Sequence, residues 1–107
     1  MYKPKSTREI YTESFSINSA SIEKQLADDS VPTGEIRSIL DFVSEIYLRD
    51  VERIIALCEK DMMALEQVPS PLKLFVDCLT YARESLSLSS HACKLIQRYR
   101  SAWEDWM

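Results

Sequence analysis

The chain has 107 residues, 46% of them apolar, 28% charged and 9% aromatic, with one glycine and a net charge of −4. That length accommodates one domain, and the apolar fraction is too high for a disordered chain. A lone Gly34 and four prolines supply too few turns for a β-sandwich or barrel and exclude a glycine-rich phosphate loop; the acidic balance argues against a dedicated nucleic-acid binder.

In chain order, residues 1–18 are rich in Ser and Thr and show no helical period. Tyr11, Glu13, Phe15 and Ile17 alternate with Thr12, Ser14 and Ser16, as in a short extended segment. The expectation is a flexible arm over 1–18, able to dock as a peptide, ahead of a single all-α domain over 19–107. Ser19–Asp29 is predicted to form a brief helix around Ile22 and Leu26, kept short by two aspartates at its C-terminal end.

The strongest pattern starts at Thr33, a candidate N-cap that follows Pro32 and precedes Glu35. Ile36, Leu40, Val43, Tyr47, Val51, Ile54, Cys58, Met62 and Leu65 recur at a mean step of 3.6 residues, the α-helical period. One long central helix over about residues 33–67 is therefore expected, ended by Val68-Pro69. Ser70-Pro71 predicts a restart, with a serine cap and proline at the first helical position. Leu72, Phe75, Val76, Leu79, Ala82 and Leu86 make one apolar stripe. Poor helix formers over 85–90 predict a break there. A last amphipathic helix carries Ala92, Leu95, Ile96, Tyr99, Ala102, Trp103 and Trp106 on one face. The predicted architecture is a small helical bundle, the long helix flanked by two shorter antiparallel ones.

No constellation points to catalysis. His91 stands beside Ser89 and Ser90 at a predicted helix start, where no acid orients it and no base–nucleophile geometry arises. Cys58, Cys78 and Cys93 lie 20 and 15 residues apart, without the paired spacing of a zinc site. They read as reduced thiols in an intracellular protein, cytoplasmic or nuclear. No enzyme activity, cofactor or metal is expected, and no apolar run is long enough for a membrane span.

Two anomalies of placement carry more information. On a helical wheel, Asp50 and Asp61 fall inside the apolar arc of the long helix, and Arg83 inside that of the next. An unpaired buried carboxylate is costly, so a buried pairing of Asp50 or Asp61 with Arg83, Arg98 or Arg100 is expected, unless these residues lie at a rim. Conversely, Phe42, Leu48 and Met63 lie outside the arc, and Leu74, Tyr81 and Leu88 lie nearly opposite Leu72. Such an apolar excess marks a protein–protein interface, or a core enlarged by the N-terminal segment folding back. Trp103 continues the core stripe, whereas Trp106 near the end of the chain is a candidate contact residue.

The residues expected to meet a partner are thus Phe42, Leu48, Met63, Leu74, Tyr81, Leu88 and Trp106. The expected function is a non-enzymatic interaction module, a helical subunit, adaptor or inhibitor, binding a protein partner or a second copy. The alternative is a helical accessory subunit of a nucleic-acid-bound complex, touching phosphates through Lys94, Arg98 and Arg100.

Overall fold

Four apolar stripes, not three, find one another in this chain. The computed structural model describes residues 4–27 and 30–106. It contains α1 (Thr7–Leu26), α2 (Thr33–Glu59), α3 (Pro71–Ser85) and α4 (Ser90–Trp106), with one 3-10 turn at Leu65–Gln67 between α2 and α3. Among the described residues there is no strand. The all-α class and the helical bundle stand; three expectations need correction.

The first is the arm. Residues 7–18 are helical and continuous with 19–26, not the extended, flexible segment expected. Ser6 caps α1 by accepting the Glu9 N–H at 3.2 Å. Its inward face is Tyr11, Phe15, Asn18, Ile22 and Leu26, a helical spacing that the polar Asn18 interrupts. Tyr11, Asn18, Ile22 and Leu26 are buried, and Phe15 packs on the core. Tertiary contacts hold this Ser/Thr-rich helix. The Tyr47 hydroxyl donates to the Tyr11 carbonyl at 2.7 Å, the Tyr99 hydroxyl to the Asn18 carbonyl at 3.4 Å, and the Tyr11 hydroxyl to the Pro69 carbonyl. Asp28 and Asp29, expected to stop the helix, lie outside the described residues.

The second correction is the length of α2. It ends at Glu59, about eight residues early, because Asp61 adopts φ 55° in the left-handed region. The Asp61 N–H donates to the Cys58 carbonyl at 3.2 Å and the Met62 N–H to the Leu57 carbonyl at 3.0 Å. That pair of bonds is a Schellman motif with aspartate at the position glycine usually fills. Met62 and Leu65, read as the last turns of the stripe, are consequently 72% and 81% exposed. At its other end the N-cap position of α2 is Pro32, not Thr33, and the Pro32 carbonyl accepts from the Glu35 and Ile36 N–H groups.

The third concerns centrality. Around the bundle the order is α1, α2, α3, α4, and α1 and α3 also meet across the short diagonal. The longest helix therefore lies to one side. The restart and the break are as expected: Ser70 accepts the Lys73 N–H at 3.1 Å with Pro71 at the first helical position, and the chain turns extended at Leu86.

A chain of rings crosses all four helices. Tyr11 to Tyr47, Tyr47 to Phe15, Phe15 to Phe75, Phe75 to Tyr99 and Tyr99 to Trp103 have centroid separations of 6.1, 4.8, 5.8, 6.2 and 5.8 Å. Offset and edge contacts of this kind add to the area they bury. Ile39, Val43, Leu79, Ala82, Ala92 and Ile96 fill the space around them.

Candidate functional site

Part of the apolar surplus is absorbed once α1 folds back. Leu74 is buried, and Leu88 is half-buried against the core, which corrects their placement on a free surface. Leu48 remains 54% exposed on α2, and Met63 is half-buried in the connection after it. The Trp106 side chain lies outside the described residues. Phe42 and Tyr81 are brought together: their rings stack with centroids 6.0 Å apart and planes 9° from parallel.

This stack forms the outer wall of the seam between α2 and α3. On α2 the positions Phe42, Glu45, Ile46 and Arg49 fall on one face, at helical spacing. With Tyr81 of α3 they line a groove of about 430 Å³. Tyr81 keeps 55% of its surface exposed although its neighbours Cys78 and Ala82 are buried. Charges of both signs stand along the seam. Asp77 stands one turn before Tyr81 and is exposed; Glu45 is exposed on α2. Burial pushes the Cys78 thiol up to about 12, and the Asp50 and Asp77 carboxylates add to that rise against the opposing Arg49 cation. All three charges thus bear on the same stretch of the seam.

The expected buried ion pairs do not form. Asp50 is partly exposed and meets its own neighbour, Arg49, at 3.5 Å. Asp61 is exposed and serves to end α2. Arg83 reaches Gln97 at 3.5 Å, Arg98 is exposed, and Arg100 pairs with Glu104 at 2.9 Å within α4. The bundle has no dry centre at these positions, so each carboxylate finds water or a local partner.

On the opposite side, the seam between α1 and α4 is a larger, open groove of about 880 Å³. It is lined by Gln25 of α1 and by Lys94, Leu95, Gln97, Arg98, Tyr99, Ser101 and Ala102 of α4. Among the described residues, Lys94 and Arg98, one turn apart, are its only charged lining residues, and neither has an ion pair there.

A third apolar surface was hidden by the extended reading of the N-terminus. Ile10 and Ile17, two turns apart on α1, are 45% and 69% exposed beside Leu72 and Trp103. Their seven-residue spacing was the available signal. Lys5 and Glu13 on its rim pair with each other at 2.6 Å.

Ser89 engages Glu35, not His91. Its hydroxyl donates to one carboxylate oxygen at 2.9 Å, its N–H donates to the other, and its oxygen caps α4 by accepting the Ala92 N–H. Cys58, Cys78 and Cys93 are free thiols. Among the described residues no helix is long and apolar enough to cross a membrane, and no cluster of His, Cys, Asp and Glu could hold a metal ion. No family model, curated protein or solved structure matches the chain.

Proposed function

We propose that this chain is a non-enzymatic protein–protein interaction module, a small helical subunit, adaptor or inhibitor that docks through an apolar helical face. The observation that carries the reading is the Phe42–Tyr81 stack on the outside of the α2/α3 seam. Half-exposed tyrosine is a residue enriched at interaction hot spots, since it supplies a large rigid ring with little entropy to lose. The groove beside it is lined mainly by side chains of one helix, a shape suited to a partner's side chains. An intracellular setting, cytoplasmic or nuclear, suits three cysteines that form no disulfide.

The test is a photo-crosslinking residue placed at Tyr81 in the cell, with the exposed Glu23 of α1 as control. A discrete protein adduct from position 81 and none from position 23 supports the reading. Failure of position 81 to yield an adduct, or the same products from both, overturns it.

A second reading is favoured by Lys94 and Arg98, which have no ion pair among the described residues: an accessory subunit that touches nucleic-acid phosphates. Arg100, the third cation named for that role, is engaged by Glu104. Binding of duplex DNA would then weaken with salt, the logarithmic slope being about −0.9 per phosphate contacted.

A further inference from the structure

The mixed charges of the α2/α3 seam are sorted by height. α3 runs antiparallel to α2: Ser89, beyond the end of α3, bonds Glu35 in the first turn of α2, while Pro69, before its start, accepts from Tyr11, whose ring lies beside Tyr47. The Phe42–Tyr81 stack sets the two helices level with each other. Moving away from the stack, α2 carries Glu45, then Arg49 and Arg53, and α3, read backwards, carries Asp77 and then Lys73. All five are exposed. The half of the seam next to the stack is acidic, and the far half is basic. Glu45 and Arg49 stand one turn apart, as do Lys73 and Asp77, yet among the described residues neither couple forms an ion pair. Asp50, the carboxylate within the basic half, is recessed: its side chain is 23% exposed and stays with Arg49 at 3.5 Å.

We propose that two copies of this chain dock seam to seam about a two-fold axis, α2 against α2 and α3 against α3, each pair antiparallel. This rests on the interaction-module reading and names the partner as a second copy. A two-fold contact uses the same patch on both copies, so the patch must be complementary to itself. The midpoint of Glu45 and Arg49 is position 47, five residues from Phe42; the midpoint of Lys73 and Asp77 is position 75, six residues from Tyr81. At about 1.5 Å of rise per residue, the two midpoints lie at the same height to within about 1.5 Å. One axis at that height therefore serves both helices. It sets Glu45 opposite Arg49 of the second copy and Asp77 opposite its Lys73, each pair occurring twice. The same axis brings Arg53 of the second copy over the Phe42–Tyr81 stack, where a guanidinium packs on an open ring face. Covering the rings supplies affinity, and the order of the charges fixes the antiparallel register. The contact closes on itself, so assembly stops at the dimer.

Light scattering on the purified full chain tests this. With rising concentration the wild type is expected to reach about 25 kDa, twice the 12.4 kDa monomer, and to stop there. It should shift toward the monomer near 1 M salt, where the Debye length falls to about 3 Å. Glu45→Arg sets like charges opposite each other on α2 and is expected to be monomeric where the wild type is dimeric. Adding Arg49→Glu reverses the order of charge on α2, which is again complementary to itself, and is expected to restore the dimer. Docking on a partner of different sequence gives no such rescue. Circular dichroism checks that both variants remain helical. A wild type that stays monomeric up to millimolar concentration, or that grows beyond the dimer, overturns the proposal. So does a Glu45→Arg chain that dimerises like the wild type, or a helical double variant that stays monomeric. Crosslinking from position 81 is expected to join two copies of the chain. A monomeric chain that still yields a position-81 adduct with a different protein overturns only the self-association, whereas a monomer with no adduct overturns both readings.

Discussion

Replacing Tyr47 by Phe removes one oxygen from the centre of the contact between α1 and α2. Tyr47 is 1% exposed, and its hydroxyl donates to the Tyr11 carbonyl at 2.7 Å. The ring stays, so its tilted contact with the Phe15 ring at 4.8 Å survives, and the change isolates the hydrogen bond. A neutral intramolecular bond is worth about 0.5–1.5 kcal/mol net. The Tyr11 carbonyl lies inside α1, where the helical ladder still supplies a donor. No acceptor is stranded, so the loss should be near the middle of that range, about 1 kcal/mol. For a domain of this size that corresponds to a fall in Tm of about 4 °C or slightly more. Thermal unfolding followed by circular dichroism reads it, with Tyr81→Phe as the control. The control hydroxyl is on an exposed ring, so its loss should move stability by less than about 0.5 kcal/mol. An unchanged Tm for Tyr47→Phe would refute the docking of α1 on α2 at this point. So would a deficit equal to that of the control.

Two further outcomes follow from local geometry. Asp61→Gly relieves a left-handed residue at φ 55° and removes a negative charge from the C-terminal end of α2, and is expected to raise stability by about 0.5–1 kcal/mol in urea titration; a decrease would mean that the Asp61 side chain makes a contact that matters more than the strain. Stability should also fall above pH 9. Burial raises the Cys78 thiol to about 12 and raises the phenols of Tyr11, Tyr47 and Tyr99, so the unfolded chain ionises first and is favoured as pH rises. Each group contributes a slope of at most about 1.4 kcal/mol per pH unit between its unfolded and folded pKa. Urea midpoints at pH 8, 9 and 10 check this, and a flat profile would contradict the burial of these groups.

The helices that were legible were those with a continuous apolar stripe and a local stop. Ser70-Pro71 both caps and starts α3, and the weak helix formers of 85–90 separate α3 from α4; each acts over a few residues and needs no knowledge of the rest of the chain. The end of α2 was less accessible. The stripe Cys58, Met62, Leu65 continues the helical period in sequence, but Asp61 takes the left-handed conformation in its middle and sends Met62 and Leu65 to the surface. Aspartate tolerates that conformation less well than glycine, so composition alone did not mark it. Of the candidate contact residues, Phe42 and Tyr81 came from opposite-face arithmetic on separate helices. Their stacking depends on how α2 lies on α3.

What the sequence by itself determined is the all-α class and the positions of α3 and α4. Helical period and capping are local properties, set within a turn or two of chain. Only the tertiary structure decided that residues 7–18 are helical. Serines and threonines give that stretch weak intrinsic preference, and its inward face holds an asparagine; the rings and hydroxyls of Tyr47 and Tyr99, 36 and 81 residues away in sequence from their acceptors, hold it as a helix. The tertiary structure likewise decided which of the surplus apolar residues are core and which form the open α2/α3 seam, because a free face exists only after every other face has found its cover.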